Sequence, residues 1–520
     1  MGLVIFLAGC GAVMLAAGML VRFSAVAIWD DAWFYTRYAD NLIQSGSYQW
    51  NVQEKGYGLT APLFGLLVAL VRLTDLSPAL TLWGISLLMG LLSIGLMMRW
   101  ARQVSNPFFG FQSAFVLVAL TWNFPTLASH FASGMETTTA VFFFGLYLTL
   151  LHKFMPQLSP GRTLLLGVLG GLAWGIRPEL ALMTWGMPIG LLLFSNKAEV
   201  RQGAGYILLF TVAITVLQLY LGLQIFGTVL PLSFWAKTTN PYGTEMGAVF
   251  KLEGLKQLVL FWAVNLPSLL ALGIAFAKGK FRFWRFLALN ERILLVGMIL
   301  FWVYHSLLVL PIMSYSARFF YPLWPGLIWL GVRAWHFLSL EAGGQFSIPL
   351  PRKWQVGGAV IFFTAVTMVG AAATVKTRHS GSWALMGKFS VEDAYQGIGK
   401  GNWPGLDELS TFPPDFEIAA TELGVLGMMR QGANVWDLSG LHDASMLDPY
   451  KGIERLLKTL KPDLIYMPSP AYSKLNDALM TNPQFERDYL LYKPPTSYYP
   501  VAILREGPYF DELLRIVSAP

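Results

Sequence analysis

The segment from Trp29 to Asp40 reads WDDAWFYTRYAD, and the rest of the chain is best understood from it. It follows an apolar stretch, residues 3–23, that is long enough to cross a bilayer as a helix. Two adjacent carboxylates, Asp30 and Asp31, therefore lie where the chain leaves the membrane. The aromatic residues after them recur about one helical turn apart, which predicts a short amphipathic helix on the membrane surface.

The acidic pair has two interpretations at this point. Carboxylates at the start of a helix are favoured by the helix dipole, so capping alone would account for Asp30 and Asp31. The alternative is a chemical role at the membrane surface, which depends on what the remaining chain brings to the same side.

Composition indicates a polytopic α-helical membrane protein. The chain has 520 residues, of which 55% are hydrophobic and 13% are charged, whereas soluble domains carry about 25% charged residues. The net charge of +7 fits basic cytoplasmic loops. No soluble segment alternates basic and exposed aromatic residues, so we expect no nucleic-acid partner. The single cysteine, Cys10, lies inside the first apolar segment, which we interpret as a retained helix.

We predict about 11 membrane spans from runs of apolar residues. The spans are residues 3–23, 79–98, 108–127, 135–152, 163–177, 180–195, 204–226, 257–277, 293–311, 318–337 and 354–375. Residues 60–71 are apolar but short, which predicts a re-entrant or juxtamembrane segment. With residues 29–60 outside, the basic loops all fall inside, as the positive-inside rule requires.

Residues 376–520 have a different character, because they contain several Pro-rich turns and no apolar run long enough to span. Strands are predicted at 433–438, 463–467 and 499–504, with helices at 452–460 and 472–480 between them. We therefore predict two domains. Residues 1–375 form the transmembrane domain, and residues 376–520 form an extracytoplasmic α/β domain.

Five further charged residues lie on the side of Asp30: Glu136, Arg177, Glu179 and Arg318 near the predicted ends of spans, and Lys237 in an outer loop. Taken singly, each could be a helix cap or a side chain that snorkels to the surface. Together they gather cations and carboxylates at one membrane face. Cations there suit the phosphate of a lipid, and carboxylates suit proton transfer or attack at an electrophilic carbon.

Six segments follow one another along the chain: DDAWFYTRYADNL (30–42), SGMET (133–137), RPE (177–179), PLSFWAK (231–237), RFFYPLWP (318–325) and VWDLSGLHD (435–443). In the same order, they resemble the DDAFI-x-x-RYA-x-NL, SGLET, RPE, PNTFYAK, RFLLPLLP and V-x-D-x-x-GL-x-D motifs of membrane glycosyltransferases of the GT-C fold. The resemblance is closest to the mycobacterial-type terminal arabinofuranosyltransferases.

The resemblance implies a polyprenyl-phosphate sugar as donor, with arabinofuranose as the first candidate sugar. Asp30, Asp31 and Glu136 are the catalytic candidates. Arg177, Arg318 and Lys237 are candidates for binding the donor phosphate, and Arg37, Tyr38, Tyr57 and Glu179 for contacting substrate. If the anomeric configuration inverts, Asp30 acts as general base. If it is retained, a carboxylate acts as nucleophile.

The resemblance places the active site and the C-terminal domain on the outer face of a bacterial inner membrane. The acceptor is a glycan or a surface protein such as a pilin. The sequence requires no cofactor, although the carboxylates leave a divalent metal open. A transporter or flippase of lipid-linked sugars is the main alternative, but no internal repeat supports it. A non-catalytic membrane scaffold is a second alternative, but it would give no role to the acidic pair.

Overall fold

The computed structural model of the chain describes residues 28–104, 109–239, 241–307, 309, 315–341, 403–470, 472–495 and 497–518. The predicted spans 3–23 and 354–375, and the predicted domain boundary between residues 375 and 376, lie outside the described residues.

Two compact units divide the chain. The helical unit consists of Met1–Ala25, Gly84–Leu217 and Gly254–Ser382, and the mixed unit consists of Val26–Trp83, Gln218–Glu253 and Trp383–Pro520. The mixed unit thus combines the acidic segment near the N-terminus with the C-terminal residues. The domain boundary predicted after residue 375 places those two regions in different domains.

Fifteen helices occupy the described residues before position 342, and they are numbered in chain order. They are α1 Ala32–Ser45, α2 Pro62–Arg72, α3 Pro78–Val104, α4 Phe109–Trp122, α5 Phe124–Ala132, α6 Thr137–Phe154, α7 Pro160–Ile176, α8 Ala181–Phe194, α9 Ala198–Phe226, α10 Leu232–Thr239, α11 Thr244–Val264, α12 Leu266–Gly279, α13 Phe281–Phe286, α14 Leu289–Leu307 and α15 Trp324–Glu341. Short 3-10 turns lie at Pro178–Leu180, Tyr315–Ala317 and Tyr321–Leu323.

Local sequence accounts for several helix ends. The amphipathic helix predicted after the acidic pair is α1, and it ends at Gly46, whose φ of 72° few other residues adopt. The Gly46 N–H donates to the carbonyl of Leu42 over 3.1 Å. Prolines occupy the first turns of α2 and α7, where a missing N–H costs no helical hydrogen bond.

Two described helices, Pro78–Trp100 within α3 and Ala198–Phe226, are long and apolar enough to cross a membrane. The pair Leu252–Val264 and Leu266–Gly279, bent by 79°, adds a third if it counts as one span. The short segment predicted at 60–71 forms α2, of 11 residues. The total of about 11 spans stays a prediction.

Small residues allow the helices of the helical unit to approach closely. A Cβ added to Gly170 on α7 would lie 2.5 Å from the Thr211 hydroxyl oxygen of α9, and one added to Gly171 would lie 2.5 Å from Ile214. Backbone contact of this kind is how helices associate where lipid removes the hydrophobic driving force.

The mixed unit contains a five-stranded sheet with the order β2-β1-β3-β5-β4. The strands are β1 Ile418–Ala420, β2 Val435–Asp437, β3 Leu464–Tyr466, β4 Tyr489–Tyr492 and β5 Val501–Leu504. β1 pairs in parallel with β2 and β3, whereas β5 is antiparallel to β3 and β4. Around them lie α16 Leu406–Leu409, α17 Gly424–Met429, α18 Pro449–Arg455, α19 Ser473–Met480, α20 Pro483–Asp488 and α21 Phe510–Ser518.

The three predicted strands are confirmed as β2, β3 and β5, and the predicted helix at 472–480 is α19. Two strands were missed. β1 is three residues long and lies in an apolar run shared with α17, and β4 is an edge strand in which only Tyr489 is fully buried. The core of this region packs Trp436, Ile453 and Leu479 against the sheet.

Candidate active site

Asp30, in the mixed unit, binds the start of a helix that is distant in sequence. One carboxylate oxygen accepts the N–H of Gly424 at 3.1 Å, and the other accepts the N–H of Val425 at 2.8 Å. Both N–H groups belong to the first turn of α17, where no helical carbonyl can accept them. Asp30 therefore caps α17, and the capping considered for the surface helix α1 occurs on a different helix.

The ionisation of Asp30 is shifted toward neutral pH. Its carboxyl group is enclosed by protein, and this burial raises the pKa from 3.8 to about 6, with a further raising contribution from the charge of Asp31. The hydrogen bonds from Val425 and Gly424 act in the opposite direction. A carboxylate with this pKa is largely ionised at neutral pH and more basic than an exposed aspartate, as a general base requires.

Glu422 lies close enough to the acidic pair, and to a further carboxylate, Asp437, to feel their charges. Glu422 follows β1 and Asp437 ends β2, so both lie at the carboxyl edge of neighbouring parallel strands, where open α/β sheets bind ligands. Burial, aided by the charges of Asp30, Asp31 and Asp437, raises the pKa of Glu422 to about 8. Glu422 therefore carries a proton at neutral pH. Sequence reasoning missed it because no motif contains it.

Asp437 organises the turn that follows β2. One of its oxygens accepts the Ser439 N–H at 2.6 Å and the Ser439 hydroxyl at 2.5 Å, while the other accepts the His442 N–H at 2.5 Å. Burial raises the pKa of Asp437 to about 6. The aspartate in the VWDLSGLHD segment thus holds the turn that presents His442.

The His442 ring is enclosed by α1 and the loop after it. Its Nδ1 atom shares a hydrogen bond of 3.0 Å with the Tyr38 hydroxyl, and the ring stacks on Trp50 with centroids 4.5 Å apart. A Cβ at Gly58 would lie 1.9 Å from Nδ1, so only glycine fits there. Burial lowers the pKa of His442 to about 3, which keeps the imidazole neutral.

Tyr38 and Tyr57, both predicted to contact substrate, are buried in the mixed unit. Tyr38 donates to the Gly56 carbonyl at 3.2 Å and accepts the Gly58 N–H at 3.3 Å. Tyr57 is 2% exposed and stacks on Phe226 with centroids 4.4 Å apart. The contacts described for both rings are made with protein, and their substrate contacts stay a prediction.

Arg37 is buried and makes several hydrogen bonds to backbone carbonyls. Its guanidinium donates to the carbonyls of Gly427 at 2.5 Å, Arg430 at 3.1 Å and Ala433 at 2.6 Å, and to Trp50 at 2.9 Å. A fifth bond reaches the Asn51 side-chain oxygen at 3.2 Å. Arginine presents five donors in a fixed fork, so these bonds occupy the whole side chain.

The helical unit contains a second charged cluster around Arg177. This guanidinium pairs with Glu136 over 3.4 Å and with Glu179 over 3.2 Å, and it donates to the Arg318 carbonyl at 3.3 Å. Arg177 and Arg318 both lie over the Phe319 ring, at 5.4 Å and 5.3 Å from its centroid. Three separate motifs of the sequence are thereby brought together.

Strained backbone precedes Arg318. Ser316 and Ala317 adopt φ values of 53° and 59°, in the left-handed region that side chains disfavour. The Ser316 carbonyl accepts a hydrogen bond of 3.0 Å from His130 Nε2. The Ala317 N–H donates to the side-chain oxygen of Gln257 over 2.9 Å. Such strain persists where surrounding contacts hold it, and it clusters at functional sites.

The ten predicted site residues thus divide between the two units. The helical unit brings four of them together: Glu136, Arg177, Glu179 and Arg318. The mixed unit contains the other six: Asp30, Asp31, Arg37, Tyr38, Tyr57 and Lys237, the last of which lies within α10. Across the described ranges, no three His, Cys, Asp or Glu side chains are placed to hold a metal ion together.

No family model matches this sequence, and no curated protein matches it. Two solved structures of ArnT from Cupriavidus metallidurans are similar to the chain. The structure bound to undecaprenyl phosphate has a TM-score of 0.55 and 14% identity, and the match covers 100% of this chain and 99% of ArnT. The apo structure has a TM-score of 0.54 and 14% identity, with 96% and 97% covered. This likeness confirms the GT-C fold that the sequence resemblance implied.

Proposed function

We propose that this chain is a membrane glycosyltransferase that moves a sugar from a polyprenyl-phosphate donor to an extracytoplasmic acceptor. Arabinofuranose is the proposed sugar, and the acceptor is a glycan or a surface protein such as a pilin. The observation that carries the proposal is the likeness over the whole chain to ArnT, one structure of which holds undecaprenyl phosphate. The six sequence motifs support the same conclusion.

The chemistry assigns a role to each cluster. The acceptor hydroxyl attacks the anomeric carbon, the bond from that carbon to the phosphate oxygen breaks, and polyprenyl phosphate leaves with the bonding electrons. Asp30 takes the hydroxyl proton if the configuration inverts, whereas a retaining reaction proceeds through a carboxylate nucleophile. The raised pKa of Asp30, about 6, supports its use as a base.

Cationic side chains stabilise the leaving phosphate in this proposal. Arg318, Arg177 and Lys237 are the residues proposed to bind it, because charge that develops on a desolvated phosphate needs fixed positive partners. Glu136 and Glu179 hold the Arg177 fork in one orientation. The roles of Glu136 as a neighbouring catalytic carboxylate and of a divalent metal belong to the same proposal and await test.

We further propose that the chain lies in a bacterial inner membrane with Asp30 and the C-terminal region on the outer face. The basic segment between α12 and α14 supports this orientation, because the positive-inside rule assigns it to the cytoplasm. Transport or flipping of lipid-linked sugars is the less favoured function. The sequence contains no internal repeat of the kind that many transporters show.

The test uses the purified full chain with a synthetic polyprenyl-phosphate arabinofuranose and a panel of oligosaccharide and pilin-peptide acceptors. We expect release of polyprenyl phosphate and an acceptor heavier by one pentose, both measured by mass spectrometry. Donors that carry a hexose or a different pentose are the controls for the sugar. Absence of release with every donor, despite a folded protein, would exclude the proposed activity.

A further inference from the structure

Helix α17 is bound at both ends by residues of the acidic segment. Asp30 accepts the N–H groups of Gly424 and Val425 at its start, and Arg37 donates to the carbonyl of Gly427 and to those of the residues just after the helix. An aspartate at a helix N-terminus and an arginine at its C-terminus each complement the helix dipole.

The spacing along the chain matches this arrangement. Asp30 and Arg37 are seven residues apart, which corresponds to a rise of about 10 Å along a helix. Gly424 and Arg430 are six residues apart, which corresponds to about 9 Å along a helix, so the acidic segment is long enough to bind both ends of α17. The Thr36 hydroxyl adds a contact of 3.0 Å to the sulfur of Met428 between them.

Two glycines set the distance between these segments. A Cβ at Gly424 would lie 2.0 Å from the Asp30 carbonyl oxygen and 2.7 Å from its carboxyl carbon. A Cβ at Gly427 would lie 2.2 Å from Trp50 and 3.2 Å from the Arg37 side chain. The backbone of α17 is therefore in direct contact with Asp30.

We infer that α17, held by Arg37, is the element that positions Asp30 for the proposed reaction, so that Arg37, Gly424 and Val425 are positioning residues. This inference rests on the proposed function, in which Asp30 is the catalytic carboxylate. The two N–H groups orient both carboxylate oxygens and favour the ionised form of Asp30. Gly424 and Val425 thereby control the basicity of a group that lies almost 400 positions earlier in the chain.

The decisive variant is Val425→Pro, which removes the shorter hydrogen bond to Asp30. Val425 is the second residue of α17, where proline is tolerated because the N–H has no helical partner, and Gly424 eases the restriction on the residue before proline. Asp511→Pro is the matched control, since it places proline at the second position of α21. Arg37→Lys keeps the charge but loses the fork, and it tests the other end of α17.

Two readouts separate positioning from general damage. The first is the thermal unfolding midpoint between about pH 4 and pH 9, which reports the protonation of Asp30 without any turnover. The second is the pH dependence of polyprenyl phosphate release from synthetic polyprenyl-phosphate arabinofuranose. Asp31 and Glu422 also face Asp30, and Glu422 faces Asp437 as well, but these groups are the same in every variant.

We expect Val425→Pro and Arg37→Lys to move the acidic limb of the rate profile to higher pH by about one unit or more. The loss of stability with rising pH should shift in the same direction, whereas Asp511→Pro should leave both profiles unchanged. An unshifted stability profile in Val425→Pro would overturn the inference even if the enzyme were inactive. If the stability profiles of the variants shift but the wild-type chain releases no lipid phosphate, the proposed function is contradicted while the contact between α17 and Asp30 is upheld.

Discussion

The substitution Asp30→Asn separates catalysis from capping. Asn keeps the size of the side chain and one acceptor oxygen, but it loses the negative charge and turns the second oxygen into an N–H donor. It can therefore accept only one of the two hydrogen bonds from Gly424 and Val425. This differs from an ordinary helix cap, at which Asn and Asp are nearly equivalent.

The effect on stability follows from the pKa. Burial raises the pKa of Asp30 from 3.8 to about 6, so the folded protein binds a proton more readily than the unfolded chain. The contribution of Asp30 to the free energy of unfolding is complete below its pKa in the unfolded chain. It is lost as pH rises through its pKa in the folded protein. At pH 7 the loss is about 3 kcal/mol, from a shift of about two pH units. Asn carries no charge and therefore avoids this loss of stability, but it gives up one hydrogen bond worth about 1 kcal/mol. The net expectation is a gain of about 2 kcal/mol.

The assay compares thermal unfolding midpoints of wild type and Asp30→Asn near pH 7.5 and near pH 4. The variant should unfold at higher temperature at the first pH, and the difference should disappear or reverse at the second. Its release of polyprenyl phosphate should fall by about a hundredfold or more, because the base is gone. Asp31→Asn is the control. It should keep turnover and move the acidic limb to lower pH, because the Asp31 charge raises the pKa of Asp30.

Two results would refute this reasoning. Full turnover in Asp30→Asn would remove Asp30 from the proposed chemistry and leave Asp31 and Glu136 to be tested. A lower unfolding midpoint near pH 7.5 would show that the two hydrogen bonds outweigh the cost of the buried charge, and that Asp30 acts mainly as a cap.

Three further substitutions test other parts of the structure. Arg318→Ala should weaken donor use by on the order of 2–5 kcal/mol, because a desolvated phosphate loses a cationic partner; normal turnover at low donor concentration would exclude Arg318 from the phosphate site. Ser45→Cys, in a background without Cys10, should react with a membrane-impermeant thiol reagent in intact cells, because Ser45 is exposed at the end of α1; resistance would contradict the outward orientation. Gly58→Ala should lower the unfolding midpoint, because its Cβ would lie 1.9 Å from His442, and an unchanged midpoint would show that the loop moves at little cost.

The residues that form the charged cluster of the helical unit could be predicted from the sequence. Glu136, Arg177, Glu179 and Arg318 each interrupt or border an apolar run, and a charge at that position needs a partner. The pairing geometry could not be predicted. The geometry depends on strained residues such as Ser316, and no sequence pattern predicts the positive φ of that residue.

The contacts of the acidic segment could not be predicted from the sequence, for a different reason. Asp30 and its partners Gly424 and Val425 are 394 and 395 positions apart, and the partner groups are backbone N–H donors that any residue but proline offers. A hydropathy boundary near residue 375 also assigned the two segments to different domains. Only the folded chain shows that they belong to one unit.

The placement of Asp30 itself argues for chemistry over capping. A neutral side chain that accepts one hydrogen bond would serve the start of α17 with less loss of stability at neutral pH, because no charge would be buried. The chain instead holds an ionisable carboxylate next to Asp31, whose charge makes ionisation of Asp30 harder. The charge of Asp30 in turn raises the pKa of Glu422. Neighbouring carboxylates whose pKa values are separated by their environment are the arrangement that divides acid and base roles in an active site. We therefore propose Asp30, with the lower pKa, as the base, and Glu422 as the group that keeps its proton.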